Sequence, residues 1–373
     1  MSLPALTDLE LAGWEVLAQA PGARRFTPTS VRRWVLQRGV RDWDAMTDLP
    51  LALRAVLAAG WRIRRGTLER RYESRDGTIG LLTRLDDGQI IESVSIPDED
   101  RRTLCLSSQV GCAVACRFCA SGQGGVVRNL SVGEILEQVL VAREADPLPL
   151  TNYVFMGSGE PTHNLRAVVA AIELMTHHTG LGIGARRITV STVGHPAALE
   201  KLAEVDIPFH VALSVHMPTD RRREELMPGL GRSDLAASLA AARERFHRNG
   251  RRLMIEVVVM EGVNDRDEDA RAFLALLEGY PAIVNLIPWN AVDGVDLRSP
   301  KLERVATMAR ILQQGGIAAT VRRPRGRDVG VACGQLKRRV SGGVSRPAVR
   351  PPEDPADGAG DRAREPSAPR EGR

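Results

Sequence analysis

The sequence predicts an α/β fold, in which a partial (βα)6 barrel follows a small N-terminal helical accessory domain and precedes a disordered C-terminal tail. Three observations predict this class. β-Branched apolar runs alternate with helical patterns from residue 101, two short helical patterns stand near the start, and the last residues are rich in proline without aromatics. The 373 residues suffice for one large domain, or for one large and one small domain.

Residues 1–75 form the predicted accessory domain. In TPTSVRRWVLQRG, Thr29 and Ser30 are candidate caps of a helix that ends at Gly39, and Asp48 is the candidate cap of a second helix in DLPLALRAVLAAG. The domain closes with the arginine-rich segment WRIRRGTLERRYESR. Such a segment indicates either phosphate binding, as in an RNA-binding domain, or a solvated surface.

A β-hairpin extension is predicted over residues 76–100. The segment TIGLLTRLDDGQIIESVSIP contains two apolar runs that are separated by a turn at residues 86–88. An Asp-Asp-Gly sequence between two such runs is typical of a hairpin, because glycine adopts the positive φ angle that a tight turn needs.

The barrel is predicted over residues 101–340. Its six β-runs are TLCLSSQ, TNYVFMG, RRITVST, PFHVALSV, LMIEVVVM and AIVNLIPW. The helical patterns that follow them are EILEQVLVARE, LRAVVAAIELM, PAALEKLAEV, LAASLAAARERF, DARAFLALLEG and LERVATMARILQQGG. This alternation indicates a parallel sheet with functional groups at the carboxyl ends of its strands, and six repeats indicate a partial rather than a closed barrel.

The tail is predicted over residues 341–373, which contain six prolines and no aromatic residue. Few apolar side chains are present, so folding would not bury enough surface to offset the loss of conformational entropy. We therefore expect this segment to be disordered.

The composition indicates in which compartment the protein works and which kinds of partner it binds. No apolar run approaches the roughly 18–20 residues of a membrane-spanning helix, and MSLPALTDLELAGWEV lacks the basic and apolar regions of a secretion signal. We expect a cytoplasmic protein with no membrane contact, where clustered cysteines bind metal or do chemistry. The net charge of +5 and a second basic stretch over Val321–Arg339 are compatible with a polyanionic partner, and equally with a solvated surface.

Three of the five cysteines stand within GCAVACRFC. Cys112, Cys116 and Cys119 are spaced C-x3-C-x2-C in the predicted first β/α loop. A structural zinc site normally closes with four ligands, whereas three thiolates on a cubane iron–sulfur cluster leave one iron open. A cluster is therefore the main hypothesis. The alternative is zinc with a histidine as fourth ligand, in an RNA-binding module without catalysis.

These cysteines and seven further segments carry a resemblance. C-x3-C-x-F-C in the first loop of a β/α barrel resembles the radical S-adenosylmethionine superfamily. In chain order, the segments CLSSQVGCAVACRFCASG, RNLSVGEI, VFMGSGEP, ITVSTVG, ALSVHMPTD, EGVND, VNLIPWN and ACGQL resemble the RlmN/Cfr family of RNA adenine methyltransferases, and most closely its RlmN branch. The match runs from Glu92 to Leu336.

The resemblance implies the cofactors and their contacts. The three cysteines would hold one [4Fe–4S] cluster, whose open iron binds S-adenosylmethionine, and each turnover would use two molecules of that cofactor. Gly159 and Glu160 would contact the methionine amine of the cofactor. Further cofactor contacts are implied at successive strand ends, at Ser191, Ser214, Val215, His216 and Asn290.

The resemblance also implies roles for the two remaining cysteines. Cys333 would take a methyl group from the first cofactor molecule, giving S-methylcysteine, and a radical made from the second molecule would abstract hydrogen from that methyl. The resulting carbon radical would add to adenine C2. Glu92 would remove the C2 proton as general base, and Cys105 would then attack the sulfur of Cys333, so that a transient disulfide frees the methylated base.

The implied partners are RNA and an electron donor. The resemblance implies an adenine near the peptidyl-transferase centre of 23S rRNA, a tRNA anticodon-loop adenine in some members, and a flavodoxin-type donor; a monomer is expected. Two related interpretations stay open. One is Cfr-like methylation of adenine C8, and the other is a paralogue that acts on another RNA, because Ser158 and the STVG and SVHMPTD segments depart from the usual family pattern.

Overall fold

The computed structural model describes residues 3–64, 66–250 and 252–326, without the side chains of residues 245–249. Cys333, residues 327–339 of the second basic stretch and the predicted tail over 341–373 lie outside the described residues. Within the described part, no helix is long and apolar enough to cross a membrane.

The described chain forms the following elements. The strands are β1 (Thr67–Glu73), β2 (Ile79–Arg84), β3 (Ile90–Asp98), β4 (Arg101–Cys105), β5 (Gln109–Gly111), β6 (Val126–Asn129), β7 (Asn152–Phe155), β8 (Ile188–Thr192), β9 (His210–Ser214), β10 (Leu253–Val259), β11 (Ala282–Pro288) and β12 (Ala318–Val321). The α-helices are α1 (Thr27–Arg32), α2 (Leu51–Gly60), α3 (Val132–Ala145), α4 (Leu165–Thr176), α5 (Pro196–Glu204), α6 (Asp220–Leu226), α7 (Leu235–Asn249), α8 (Asp267–Leu276) and α9 (Leu302–Gln314).

A single large sheet has the strand order β1-β2-β3-β4-β7-β8-β9-β10-β11-β12. β4 and the strands from β7 to β12 pair in parallel, and helices α3 to α9 lie in the connections between them. β5 and β6 form a separate antiparallel pair in the first connection. Each predicted β-run of the barrel forms one of these strands, so the predicted partial barrel is confirmed. β12 was not predicted, because the four residues AATV are too short and too rich in alanine to resemble a strand.

The antiparallel end of the sheet extends the barrel on one side. β2 and β3 pair antiparallel, with Arg84 opposite Ile90 across the turn, and β3 pairs antiparallel with β4. Residues 67–73 differ from the sequence prediction, which places them in the helical domain. They form β1 and pair with β2, and the sequence hid this strand because its side chains are mostly exposed and give no apolar pattern.

The caps predicted in the N-terminal domain are wrong. α1 begins at Thr27, so Ser30 lies inside the helix, and α2 follows Pro50 without a side-chain cap. Asp48 instead accepts hydrogen bonds from the Ser30 hydroxyl at 2.6 Å and from the Trp34 indole at 2.5 Å. The carboxylate therefore joins two segments of the domain rather than starting the second helix.

The N-terminal domain packs onto α3 and shares a core with the barrel. Arg64 forms a buried ion pair with Glu137, with Nη2 and Oε1 2.6 Å apart. Asp8 accepts a hydrogen bond at 2.6 Å from Ser131, whose hydroxyl also accepts from the Glu134 amide as the N-cap of α3. These contacts fix the domain against the first barrel helix.

Candidate active site

A cavity of about 260 Å³ opens among the carboxyl ends of the barrel strands and the loop after β5. Functional sites of parallel α/β folds lie at this end of the strands. Most of the residues predicted from the sequence line it together: Cys112, Cys116, Cys119, Gly159, Glu160, Ser191, Ser214, His216 and Asn290.

The loop that carries the three thiols has a fixed backbone. The Cys112 amide donates to the Gly125 carbonyl at 2.9 Å, and the Cys119 amide donates to the Cys116 carbonyl at 3.1 Å. The loop also packs tightly against itself, because a Cβ at Gly122 would lie 2.9 Å from the Cys116 nitrogen. These contacts fix the backbone that carries the three cysteines.

Apolar side chains surround the thiols. Phe118, Met217, Met260 and Trp289 pack in one cluster with Cys112, and the Trp289 indole donates to the Phe118 carbonyl at 2.8 Å. Burial raises the pKa of the Cys112 thiol to about 12. Thiolates form in such surroundings only when a cationic group compensates them, as iron does.

The arrangement of the thiols bears on which metal group fits. Among the described residues, no three His, Cys, Asp or Glu side chains are arranged to hold a single metal ion. The three cysteines nevertheless line one cavity and are enclosed by the same apolar cluster. Three cysteines that line one cavity fit the closely spaced thiolate ligands of an iron–sulfur cluster.

Glu160 lies between the ends of β7 and β8. Its Oε1 accepts from the amide and hydroxyl of Thr162 at 3.0 and 2.7 Å, and its Oε2 accepts from the Val193 amide at 2.9 Å. The preceding Gly159 has a φ of +107°, and a Cβ there would lie 2.7 Å from Gln109 atoms. Glycine is therefore required next to a rigidly held carboxylate, which suits an ammonium group.

Hydroxyls follow on the next two strands. The hydroxyl oxygens of Ser191 on β8 and Ser214 on β9 lie 3.0 Å apart. Val215 differs from the other predicted cofactor contacts, because its side chain is buried in the main core and does not line the cavity. Its backbone instead joins β9 to β10, because the Val215 amide donates to the Glu256 carbonyl at 3.1 Å.

His216 is held in a backbone conformation that is rare for residues other than glycine, with a φ of +59°. Its Nδ1 accepts from the Val258 amide at 3.1 Å, which assigns the ring proton to Nε2 in the neutral form. Its ring meets Phe118 edge-on with centroids 4.8 Å apart. Burial, assisted by the charge of Arg223, lowers the pKa of His216 to about 3, so the ring is neutral at physiological pH.

Arg223 on α6 is a residue that the sequence reasoning missed. It is 1% exposed, and its guanidinium donates to the carbonyls of Val193, Ser214 and Val215 and to the Ser233 hydroxyl. The side chain thus joins the ends of β8 and β9, which carry the predicted cofactor contacts. No sequence signal separated it from its two neighbouring arginines.

Cys105 and Glu92 do not line the cavity. Cys105, on β4, is buried in a small apolar cluster against which Met156 packs, and Met156 lines the cavity. Glu92, on β3, is also buried, at 4% exposed, and its carbonyl accepts from the Ser107 hydroxyl at 2.7 Å. A buried carboxyl on this strand differs from the solvated side chain that is usual for a strand glutamate.

A partial barrel with three thiols in its first loop and a carboxylate at the next strand end defines a radical S-adenosylmethionine enzyme. The family model of the Radical SAM superfamily matches residues 106–274. A second model, the ribosomal RNA large subunit methyltransferase N-terminal domain, matches residues 5–63. The fold and both matches therefore agree on the class of protein.

Full-length relatives identify the family. The chain is 44% identical to the dual-specificity RNA methyltransferase RlmN of Anaeromyxobacter sp. (strain Fw109-5), with 94% of each chain covered. It is 41% identical to that of Marinobacter nauticus, over 90% of this chain and 93% of the relative. The crystal structure of a radical SAM methyltransferase from Sphaerobacter thermophilus, 41% identical, superposes with a TM-score of 0.84 over 89% of this chain and 98% of that one. The chain belongs to the RlmN family of radical SAM RNA methyltransferases.

Proposed function

We propose that this protein methylates C2 of adenine in RNA, with an adenine near the peptidyl-transferase centre of 23S rRNA and a tRNA anticodon-loop adenine as targets. Relatives named as dual-specificity RNA methyltransferases support methylation of RNA and a choice of two targets. The C2 position rests on the resemblance of the sequence to the family. The match of residues 5–63 to a large-subunit rRNA methyltransferase domain supports the first target.

One observation carries the proposal: a single cavity is lined by three thiols, a rigid carboxylate and two hydroxyls. Cys112, Cys116 and Cys119 would hold a [4Fe–4S] cluster, which when bound supplies the electron that cleaves the sulfonium of S-adenosylmethionine. In this proposal Glu160, whose carboxylate is held by the Val193 amide, accepts from the cofactor's amine, and the paired hydroxyls of Ser191 and Ser214 bind its polar groups.

The surroundings of the cavity suit a reaction that must exclude water. The apolar cluster around the thiols keeps solvent from the reacting atoms, and the neutral His216 offers an Nε2 proton as a hydrogen-bond donor without adding charge. Asn290 lines the same cavity on the loop after β11. These side chains bind and orient the cofactor rather than react with it.

The proposed methyl transfer uses Cys333, Glu92 and Cys105. The Cys333 thiolate attacks the methyl carbon of one cofactor molecule and becomes S-methylcysteine, with S-adenosylhomocysteine as the leaving group. A second cofactor molecule is consumed when a hydrogen atom is taken from that methyl group. Glu92 takes the C2 proton, and the radical adduct would return one electron to the cluster. The Cys105 thiolate then attacks the Cys333 sulfur, so that the disulfide forms as the bond from that sulfur to the methylene carbon on the base breaks, and a proton completes the methyl group.

The electron donor, the compartment and the oligomeric state are part of the same proposal. We infer a flavodoxin-type donor in the cytoplasm and a monomeric enzyme. The arginine-rich stretches at the two ends of the folded region in the sequence would contact RNA phosphates, which predicts binding that weakens as salt concentration rises.

Comparison of RNA from wild-type and deletion cells tests the function. We expect 2-methyladenosine in hydrolysed 23S rRNA and tRNA from the wild type, and its absence from both RNAs in the deletion strain. Restoring the gene should restore the nucleoside, while a Cys333→Ala gene should not. 8-Methyladenosine in the wild type would contradict C2 methylation and favour the C8 alternative.

Anaerobic purification separates this proposal from the zinc-stabilised module. We expect a brown protein whose visible absorbance bleaches on reduction, with about four iron atoms per chain for one cubane cluster. A colourless protein that contains zinc would contradict it. We also expect a Cys105→Ala variant to accumulate a covalent RNA–protein adduct, and free enzyme with normal turnover would remove the resolving role.

A further inference from the structure

Glu256 is a buried carboxyl in the cavity wall to which the proposed reaction assigns no role. It lies on β10, is 3% exposed, and pairs in the sheet with Ser214 on one side and Asn285 on the other. Its Oε1 accepts from the Asn285 side-chain amide at 2.8 Å. Its Oε2 is buried and has no hydrogen-bond partner among the described residues.

An unpaired carboxyl oxygen in this position is costly. A buried polar atom without a partner loses the hydrogen bonds that it makes with water in the unfolded chain, and the loss is larger when the atom is charged. Burial raises the pKa of Glu256, while the Asn285 hydrogen bond and the charge of Arg322 oppose that shift. A ligand that brings an N–H or O–H group to Oε2 would remove this cost, so the cavity favours such a ligand.

Arg322 supplies the complementary group. It follows β12, lines the same cavity, and its Nη1 contacts the Met156 sulfur at 3.8 Å. A thioether is a weak acceptor, so most of the donor capacity of the guanidinium remains for a ligand. The cavity therefore presents a hydrogen-bond acceptor and a donor to the same bound group.

Adenine fits this pair of groups. Its exocyclic amine donates, the adjacent ring nitrogens accept, and guanine or hypoxanthine would instead place a carbonyl oxygen against the carboxylate. We propose that Glu256 and Arg322 form an adenine-recognition site, in which Oε2 of Glu256 accepts from the amine and Arg322 donates to a ring nitrogen. This inference rests on the proposed function, in which both the cofactor and the target RNA carry adenine, and the test distinguishes these two sources.

The test measures equilibrium binding to the anaerobically reconstituted full-length enzyme, without turnover. One arm compares S-adenosylhomocysteine with S-inosylhomocysteine, and the other compares an RNA hairpin that has one unpaired adenosine with the same hairpin containing inosine there. The variants are Glu256→Gln and, as a control, Glu261→Gln, an exposed glutamate just beyond the same strand. Melting temperature and iron content establish that each variant folds and holds its cluster.

We expect the wild type and Glu261→Gln to bind the inosine form at least tenfold more weakly in one arm, since a lost amine leaves Oε2 unpaired. In Glu256→Gln the discrimination in that arm should fall below about threefold or reverse. The glutamine oxygen would still accept from the Asn285 amide, so the NH2 group of the glutamine would face the cavity. The arm that responds identifies whether cofactor or RNA provides the base. Unchanged discrimination in both arms would overturn the proposal.

Arg322→Met tests the other half of the site, with the exposed Arg323→Met as control. We expect several-fold weaker binding in the arm that responds to Glu256→Gln, and equal binding by both arginine variants would overturn the role of Arg322. The binding test of this site and the test of the proposed methylation can fail independently of each other. C2 methylation without any base discrimination at Glu256 would contradict this site alone, whereas discrimination accompanied by C8 methylation would contradict the proposed function alone.

Discussion

Arg223→Met should destabilise the protein strongly, because this buried side chain joins two strand ends. The guanidinium makes four hydrogen bonds, at 3.1 Å to Val215, 2.8 Å to Ser233, and 2.6 and 3.2 Å to Val193 and Ser214. Methionine keeps much of the apolar stem but removes every donor. The change therefore isolates the polar contribution of this residue.

The expected magnitude follows from two opposing terms. Four hydrogen bonds from a charged donor contribute roughly 1.5–3 kcal/mol each, or about 6–12 kcal/mol together. Burying a guanidinium costs several kcal/mol, and burial lowers the pKa of Arg223 to about 10, which still leaves it charged at neutral pH. The net loss of unfolding free energy is therefore about 3–5 kcal/mol.

Urea unfolding, followed by tryptophan fluorescence, measures this loss. The control is Arg221→Met on the same helix, where the side chain is 68% exposed and its guanidinium lies 3.5 Å from Glu225. That variant should change the unfolding free energy by no more than about 0.5 kcal/mol. Affinity for S-adenosylhomocysteine should also fall in Arg223→Met only, because the Ser214 loop loses its support. Equal stability and equal affinity in the two variants would refute the reasoning.

Three further predictions concern the cavity wall. Gly159→Ala should abolish cofactor binding, measured by calorimetry with S-adenosylhomocysteine, because its Cβ would lie 2.7 Å from Gln109 and its φ is +107°; wild-type affinity would contradict this. Cys116→Ser should lower the iron content per chain and abolish the visible absorbance, whereas Cys105→Ser should leave both unchanged. Because the folded-state pKa of His216 is about 3, below its ordinary value of 6.5, the unfolded state binds the proton first. The contribution of His216 to the unfolding free energy is therefore full above pH 6.5, and it should fall by about 2 kcal/mol between pH 6.5 and 5. Urea unfolding should detect this loss in the wild type and not in His216→Gln.

The sequence predicted the barrel because its strands are apolar on both faces and are separated by helical patterns of ordinary length. That regularity also placed the thiol loop and the strand-end residues Glu160, Ser191 and Ser214 at one edge of the sheet. β1 could not be predicted, because it lies at the edge of the sheet with polar side chains that face solvent. The cap assigned to Asp48 failed because the carboxylate found longer-range donors in Ser30 and Trp34.

Two polar residues of the cavity region were missed for different reasons. Glu256 did leave a signal, since it is the one charged residue in LMIEVVVM, and a lone carboxylate in an apolar strand must have a partner or a function. Arg223 left none, because Arg221, Arg222 and Arg223 are consecutive and only the three-dimensional contacts of α6 show which of them is buried. The roles assigned to Cys333, Cys105 and Glu92 stay predictions.

The fate of the hydrogen on adenine C2 tests the proposed reaction most directly. An RNA hairpin with adenosine deuterated at C2 would be incubated with the reconstituted enzyme, S-adenosylmethionine and a strong reductant, then hydrolysed and analysed by mass spectrometry. Methylation at C2 predicts methyladenosine with no deuterium on the purine ring, because the methyl group replaces the label there, together with 5′-deoxyadenosine. Methyladenosine that keeps deuterium on the ring, or cofactor that is never cleaved, would contradict the account.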